Sequence, residues 1–159
     1  MEAVAARAGV GKMTLYRRWP SKAALFLEAY VKLIPAESLV RETKDPVADL
    51  RHLSRTTLRI FRDTPAGNIL RGLIADAQHD EAARAAVIGG LVAGRRELLT
   101  IPLQRAATSG RLAAGLDPDF AAEFLVGMIW QRLLTDHRDM DDAFADRLVD
   151  TVCKPEARP

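Results

Sequence analysis

Apolar residues recur three and four positions apart through most of the chain, which is the repeat of one buried face on an α-helix. A stretch from 21 to about 34 carries Leu25, Phe26, Tyr30 and Leu33, and Pro35 ends it. Residues of about 46 to 62 carry Leu50, Leu53, Leu58 and Phe61, and those of about 65 to 77 carry Ile69, Leu70, Leu73 and Ile74. A long run from about 80 to 109 follows, with Val87, Ile88, Leu91, Val92, Leu98, Leu99 and Leu103 inward and Gly110 as its left-handed cap. Two further helices are predicted, about 118 to 135 and 141 or 142 to 152, and the tail from Lys154 is expected to fray. Asp45-Pro46, Thr64-Pro65 and Asp117-Pro118 each place a capping side chain before a proline at the first helical position, and so mark three helix starts. Within the long run Pro102 lacks the N–H a helix needs, so a kink or local unwinding is expected between Thr100 and Leu103. Runs of alternating β-branched residues and Asn-Gly hairpin signals are missing, so the predicted fold is all-α.

The first 25 residues have a pattern of their own. Ala5, Gly9, Val10 and Leu15 are spaced so that two short helices cross over one small apolar contact, with Gly9 supplying the positive φ of a tight turn. The second helix, about 12 to 19, directs Leu15 and Trp19 inward and Met13 and Arg17 outward, with Thr14 and Tyr16 flanking the outer face. Lys12, Arg17 and Arg18 make this helix basic, and it contains no acid, a composition suited to a groove lined with phosphates. After Pro20, Ser21 caps the next helix and Lys22 stands at its first turn, where free N–H groups favour an anion. The pattern is that of a helix-turn-helix.

Charge sharpens this picture. The first 32 residues hold six Lys or Arg against two Glu, net +4, which leaves 17 against 19, net −2, for the remainder. The single cysteine, Cys153, excludes an internal disulfide, and the three histidines, His52, His79 and His137, have no ligand at metal-site spacing, so no metal and no cofactor are expected. Ser38, Ser54, Ser109 and Cys153 lack a placed base, and phosphate loops and nucleophile elbows are missing, so an enzyme is not expected. No run reaches the roughly 18 to 20 apolar residues of a membrane span, which leads to an expectation of a cytoplasmic protein without a membrane partner.

The run A-G-V-x-x-x-T-L-Y-x-x-W-x-x-K-x-x-L, from Ala8 to Leu25, resembles the signature of the TetR (tetracycline-repressor-like) family of bacterial transcription regulators. The resemblance implies that Thr14, Tyr16 and Lys22 hold DNA phosphates, that Lys12, Met13 and Arg17 lie nearest the base edges, and that Arg18 is a further contact. Family members commonly carry Ser where this chain has Gly11 and Phe where it has Trp19. They also have a helix ahead of this stretch. The head is therefore expected to be incomplete, with Val4, Leu15 and Trp19 short of a packing partner, in a fragment of a longer protein or a variant that has given up tight operator binding.

By the same resemblance, residues 1–33 form a DNA-binding head with its linking helix, and 34–159 a helical regulatory and dimerisation body. The implied function is a ligand-responsive repressor binding a palindromic double-stranded operator as a homodimer. The alternative is a helical small-molecule module that no longer grips DNA. Dimerisation is expected through the last two helices, at Phe120, Phe124, Gly127, Met128, Phe144 and Leu148, where apolar surface exceeds what a terminal hairpin needs. An effector, small, uncharged and apolar or aromatic, is expected among the body helices, against Phe61, Met128, Trp130 and Gln131. Ala85, Ala86, Gly89 and Gly90 are expected to leave space for it, and Pro102 to keep one wall irregular.

Overall fold

The computed structural model describes residues 1–93 and 96–154, with the side chains of Val92 and Ala93 excepted. Among these residues ten α-helices follow one another: α1 (Glu2–Ala8), α2 (Lys12–Arg18), α3 (Lys22–Leu33), α4 (Ala36–Leu39), α5 (Pro46–Asp63), α6 (Ala66–Ala77), α7 (Glu81–Val87), α8 (Arg96–Thr108), α9 (Pro118–Thr135) and α10 (Asp142–Val152). A π-helical segment, Ile88–Ala93, follows α7 directly. Among the described residues there is no strand, only an isolated antiparallel bridge between Leu112 and Cys153. No helix among the described residues is long and apolar enough to cross a membrane.

The helix starts follow from local chemistry. Asp45 Oδ1 accepts from the N–H groups of Val47 and Ala48 at 2.9 and 3.2 Å, and Asp117 Oδ1 from that of Phe120 at 2.9 Å. Asp80 and Asp141 cap α7 and α10 in the same way, and Thr64 Oγ1 accepts from Ala66 N at 3.2 Å. These contacts satisfy N–H groups that have no partner inside a helix.

One apolar core joins α3 through α10. Leu50, Leu58, Leu70, Leu103, Leu125 and Leu133 are at most 1% exposed, and each such burial contributes roughly 1.5–3 kcal/mol. α5 runs through its centre, between α8 on one side and α10 on the other. The α5–α10 contact carries a ladder of ion pairs: Arg51 with Asp150, Arg55 with Asp146 and Arg59 with Asp142. Its middle rung is two-pronged, Nε and Nη2 of Arg55 donating to the two carboxylate oxygens of Asp146 at 2.8 and 2.6 Å. A buried ionic knot lies in the first turn of α5, just before the ladder, where Asp49, 2% exposed, accepts from Thr43 N and Thr43 Oγ1 and from Arg105 Nη1 at 3.0 Å. Burial alone would raise the pKa of Asp49, but the hydrogen bonds from Thr43 and the Arg105 charge outweigh it and hold the carboxyl below its usual range.

The long run of 80 to 109 is not one continuous α-helix, and local unwinding does not fall where it was expected. The helix does not unwind at Pro102, since α8 passes through that residue. The α-helix gives way earlier, at the π segment containing Gly89 and Gly90. Proline at the seventh position of α8 forfeits one backbone bond, whereas glycine has the weakest hold on the α conformation of any residue but proline. Packing adds a reason at Gly90, where a Cβ would stand 2.6 Å from Leu27 Cδ2 of α3, so the close approach of these elements depends on a missing side chain. Lys154, expected to begin a frayed tail, donates its N–H to Arg111 O at 2.7 Å. The rest of that tail lies outside the described residues.

Candidate DNA-binding face and effector cavity

The head consists of α1, a left-handed Gly9 (φ 67°) and α2. Val10 N–H donates back to Ala5 O at 3.1 Å and closes the turn. Of the seven residues of α2, only Leu15 is buried, so Lys12, Met13, Thr14, Tyr16, Arg17 and Arg18 are all presented outward. Met13 is 81% exposed. Gly11 caps α2 without a side-chain hydrogen bond. Around Leu15 the head buries little: Ala5 is covered, Val4 is half-buried, and Val10 is 41% exposed on an open groove that also borders Leu15 and Trp19.

Trp19 departs from its expected inward position. It stands outside α2 as the extended C-cap, half-buried, and its Nε1 donates to Glu28 Oε2 of α3 at 2.7 Å. Glu28 gathers two cations at this corner, one of which also lies over the Trp19 ring. Lys32 Nζ lies 2.8 Å away, Arg18 Nη2 lies 3.5 Å away, and the Arg18 guanidinium sits 5.0 Å from the Trp19 ring. Lys32 above all, then Trp19 and Arg18, lower the Glu28 carboxyl to about 2. This corner ties the end of α2 to α3, and a phenylalanine at 19 would have no N–H to contribute.

The cations assigned to DNA differ in their attachments. Lys12 pairs with Glu2 of α1. Lys22 Nζ lies 2.9 Å from Asp76 Oδ2 of α6, while Ser21 Oγ accepts from Ala24 N at 3.1 Å to cap α3. Arg17 forms no ion pair among the described residues.

In the body, a cavity of about 320 Å³ opens between α3, α5, α8 and α9. Phe61, Leu53, Leu99, Ile129 and Trp130 supply its apolar wall. Tyr30 of α3 and Ile34, which caps that helix, border it, and the Tyr30 and Phe61 rings lie 6.4 Å apart. At the rim Arg96 and Asp119 pair at 2.8 Å, beside Glu123. Sequence reasoning located two of its four lining candidates, Phe61 and Trp130. Met128 and Gln131 are exposed on the far side of α9 and do not line it. Ala85 and Gly89 are exposed as well, Gly90 packs on Leu27, and neither Ala86 nor Pro102 borders the cavity. Ser54 and Thr57 were missed as lining residues, because nothing in the spacing of a helix's polar residues shows that two of them face a void.

Of the candidate interface residues, Phe144 and Leu148 are 2% and 3% exposed within the chain's own core. The Arg132 guanidinium carbon lies 3.4 Å from the centre of the Phe144 ring. Phe120 is 55% and Met128 36% exposed, Phe124 is half-buried, and a Cβ at Gly127 would meet nothing within 4 Å. Among the described residues no group of His, Cys, Asp or Glu could hold a metal ion.

Residues 1–29 match the tetR family of bacterial regulatory proteins, and residues 40–152 match the tetracyclin repressor-like C-terminal domain. A DNA-binding transcriptional repressor TetR of Mycobacteroides abscessus is 30% identical over the whole chain and 83% of that protein. An uncharacterized HTH-type transcriptional regulator of Bacillus subtilis, YdeS, is 26% identical over 94% of the chain and 75% of its own length. The crystal structure of the TetR family transcription regulator SCO0332 superposes with a TM-score of 0.79 at 35% identity, covering 94% of this chain and 82% of that one. The chain belongs to the TetR family of DNA-binding transcription regulators, which are not enzymes.

Proposed function

We propose that the protein is a ligand-responsive repressor that binds a near-palindromic operator as a homodimer and releases it when a small, uncharged, largely apolar molecule fills the body cavity. One observation carries this reading: α3, a single helix of 12 residues, begins at Lys22 beside the DNA-facing head and ends at Tyr30 and Ile34 in the cavity wall. Anything that displaces Tyr30 or Ile34 acts on the helix that carries the head. Base edges are read by Lys12, Met13 and Arg17, and phosphates are held by Thr14, Tyr16 and Lys22, with Arg18 in support. Two such heads in successive major grooves need half-sites about one helical turn apart or somewhat more.

Dimerisation proceeds through α9, whose exposed Phe120 and Met128, with half-buried Phe124, form one stripe at helical spacing, and exposed Gly127 lies between that stripe and the cavity it borders. The uncovered Gly127 leaves room for a second helix to approach closely. The test is a footprint on the DNA upstream of the gene. Protection of two half-sites is expected, weakened by a bound effector. No protection at about 50 mM salt, where phosphate contacts are strongest, would favour instead a small-molecule module without tight DNA binding.

A further inference from the structure

We propose that Ser54 is the specificity-determining contact of the cavity, and that the effector carries one neutral hydrogen-bonding atom at the buried end of an apolar body. This rests on the reading of the cavity as an effector site. Ser54 lies at the middle of α5, is 2% exposed, and borders the cavity. Its Oγ is buried and has no hydrogen-bond partner. Leaving a buried hydroxyl without a partner is costly to an empty protein, and a ligand atom placed against it recovers that loss. Thr57, one turn further along the same helix, lines the same wall and offers a second hydroxyl.

The remaining surroundings limit the ligand's charge. Apart from the hydroxyls of Ser54, Thr57 and Tyr30, much of the cavity lining is apolar, with Leu53, Phe61, Ile129 and Trp130 among it, none of which could neutralise an ion. The charges that border the cavity, Arg96, Asp119 and Glu123, stand together, Arg96 already paired with Asp119 at 2.8 Å. Both partners of that pair are more than half exposed. A carboxylate or ammonium pushed to the depth of Ser54 would lose its hydration without gaining a counter-charge. A phenol, ketone or amide gains a bond that the empty protein lacks.

Calorimetric titration of the full chain with naphthol, naphthalene and naphthoate tests this, with Ser54→Ala alongside. The wild type is expected to bind naphthol about five- to tenfold tighter than naphthalene, and naphthoate more weakly than naphthol. Ser54→Ala should abolish the preference by weakening naphthol alone, and should raise the melting temperature of the empty protein because an unpaired hydroxyl has been removed. A preference that survives in Ser54→Ala, an equal loss of naphthol and naphthalene affinity, or a lowered melting temperature of the empty variant would overturn the role of Ser54 and leave the cavity reading intact. If naphthol, naphthalene and naphthoate all fail to bind the wild type, the cavity reading falls and this inference with it.

Discussion

Lys22 Nζ and Asp76 Oδ2, 2.9 Å apart, join the first residue of α3 to the penultimate residue of α6. A DNA phosphate at Lys22 therefore competes with a carboxylate of the body. Both groups are substantially exposed, so the pair is worth at most about 1 kcal/mol. Asp76→Asn is expected to tighten operator binding about two- to fivefold at low salt, an advantage that shrinks as salt screens both attractions. Gel shifts at two salt concentrations check this. Weaker binding by the variant would mean that Asp76 pre-orients Lys22 rather than competing for it.

Arg17 and Lys22 should fail differently. Arg17→Ala is expected to cost about 1–3 kcal/mol and relax preference at one operator position, as loss of a base-edge contact does. Lys22→Ala should weaken all sequences alike and reduce the salt slope by about one. Competition binding with single-base operator variants over a salt series separates the two, and an equal loss of specificity in both would undo the assignment.

The Glu28 corner gives a pH signature. The folded carboxyl, at about 2, lies below its ordinary value of 4.5, so its contribution to stability is complete above that value and disappears as pH falls from 4.5 toward 2. Glu28→Gln is expected to flatten this part of the stability curve and leave the neutral region less stable than wild type. Thermal unfolding between about pH 2 and 7 reads the difference, and parallel wild-type and variant curves would deny the corner any role.

Two glycines on α6 should respond oppositely to alanine. At Gly67 a Cβ would stand 2.4 Å from the carbonyl oxygen of Phe61 and 3.3 Å from Leu133 Cδ1, whereas at Gly72 nothing lies within 4 Å. Gly67→Ala is expected to destabilise by about 1–3 kcal/mol through overpacking. Gly72→Ala should stabilise by up to about 1 kcal/mol through helix preference alone. Urea unfolding of both variants gives the sign directly.

Sedimentation should give about twice the chain mass of 17.5 kDa. Met128→Asp, on the exposed stripe of α9, is expected to shift the equilibrium toward monomer and weaken operator binding together. Phe144→Ala should instead lower stability by about 3–5 kcal/mol, since it empties a core site. A dimer untouched by Met128→Asp would place the interface elsewhere.

The parts of this architecture that were legible in the sequence are those written within a few residues. The Asp45 and Asp117 caps, the left-handed Gly9 and Gly110 and the outward face of α2 all follow from neighbours in the chain. What escaped depends on residues far apart in sequence. Trp19 looked like a core residue because Leu15 lies four positions before it, yet the partner that draws it out is Glu28 on the next helix. Phe144 and Leu148 form an apolar stripe that would suit a subunit contact equally well, and only their packing within the chain's own core decides otherwise. Pro102 was a stronger local signal than Gly89 and Gly90, but the closeness of Leu27 to Gly90 could not be read from the run itself. Ser54 is an ordinary helical serine until its surroundings show that nothing answers its hydroxyl.

The ladder between α5 and α10 has rungs four residues apart on both helices, at 51, 55 and 59 against 150, 146 and 142. Such a thread is blind to translation by one turn: slid along by four residues, α10 would still mesh two of its three rungs. Its buried stripe, Phe144, Leu148 and Val152, advances by the same step and is nearly as indifferent. What breaks this degeneracy is aperiodic and sits at the very end. Ala113 N–H reaches Val152 O at 2.8 Å and Lys154 N–H reaches Arg111 O at 2.7 Å, a clasp that fits only one position of the screw. The arginines and aspartates thus choose the direction in which the last helix lies, and a few backbone atoms beyond it choose where it stops.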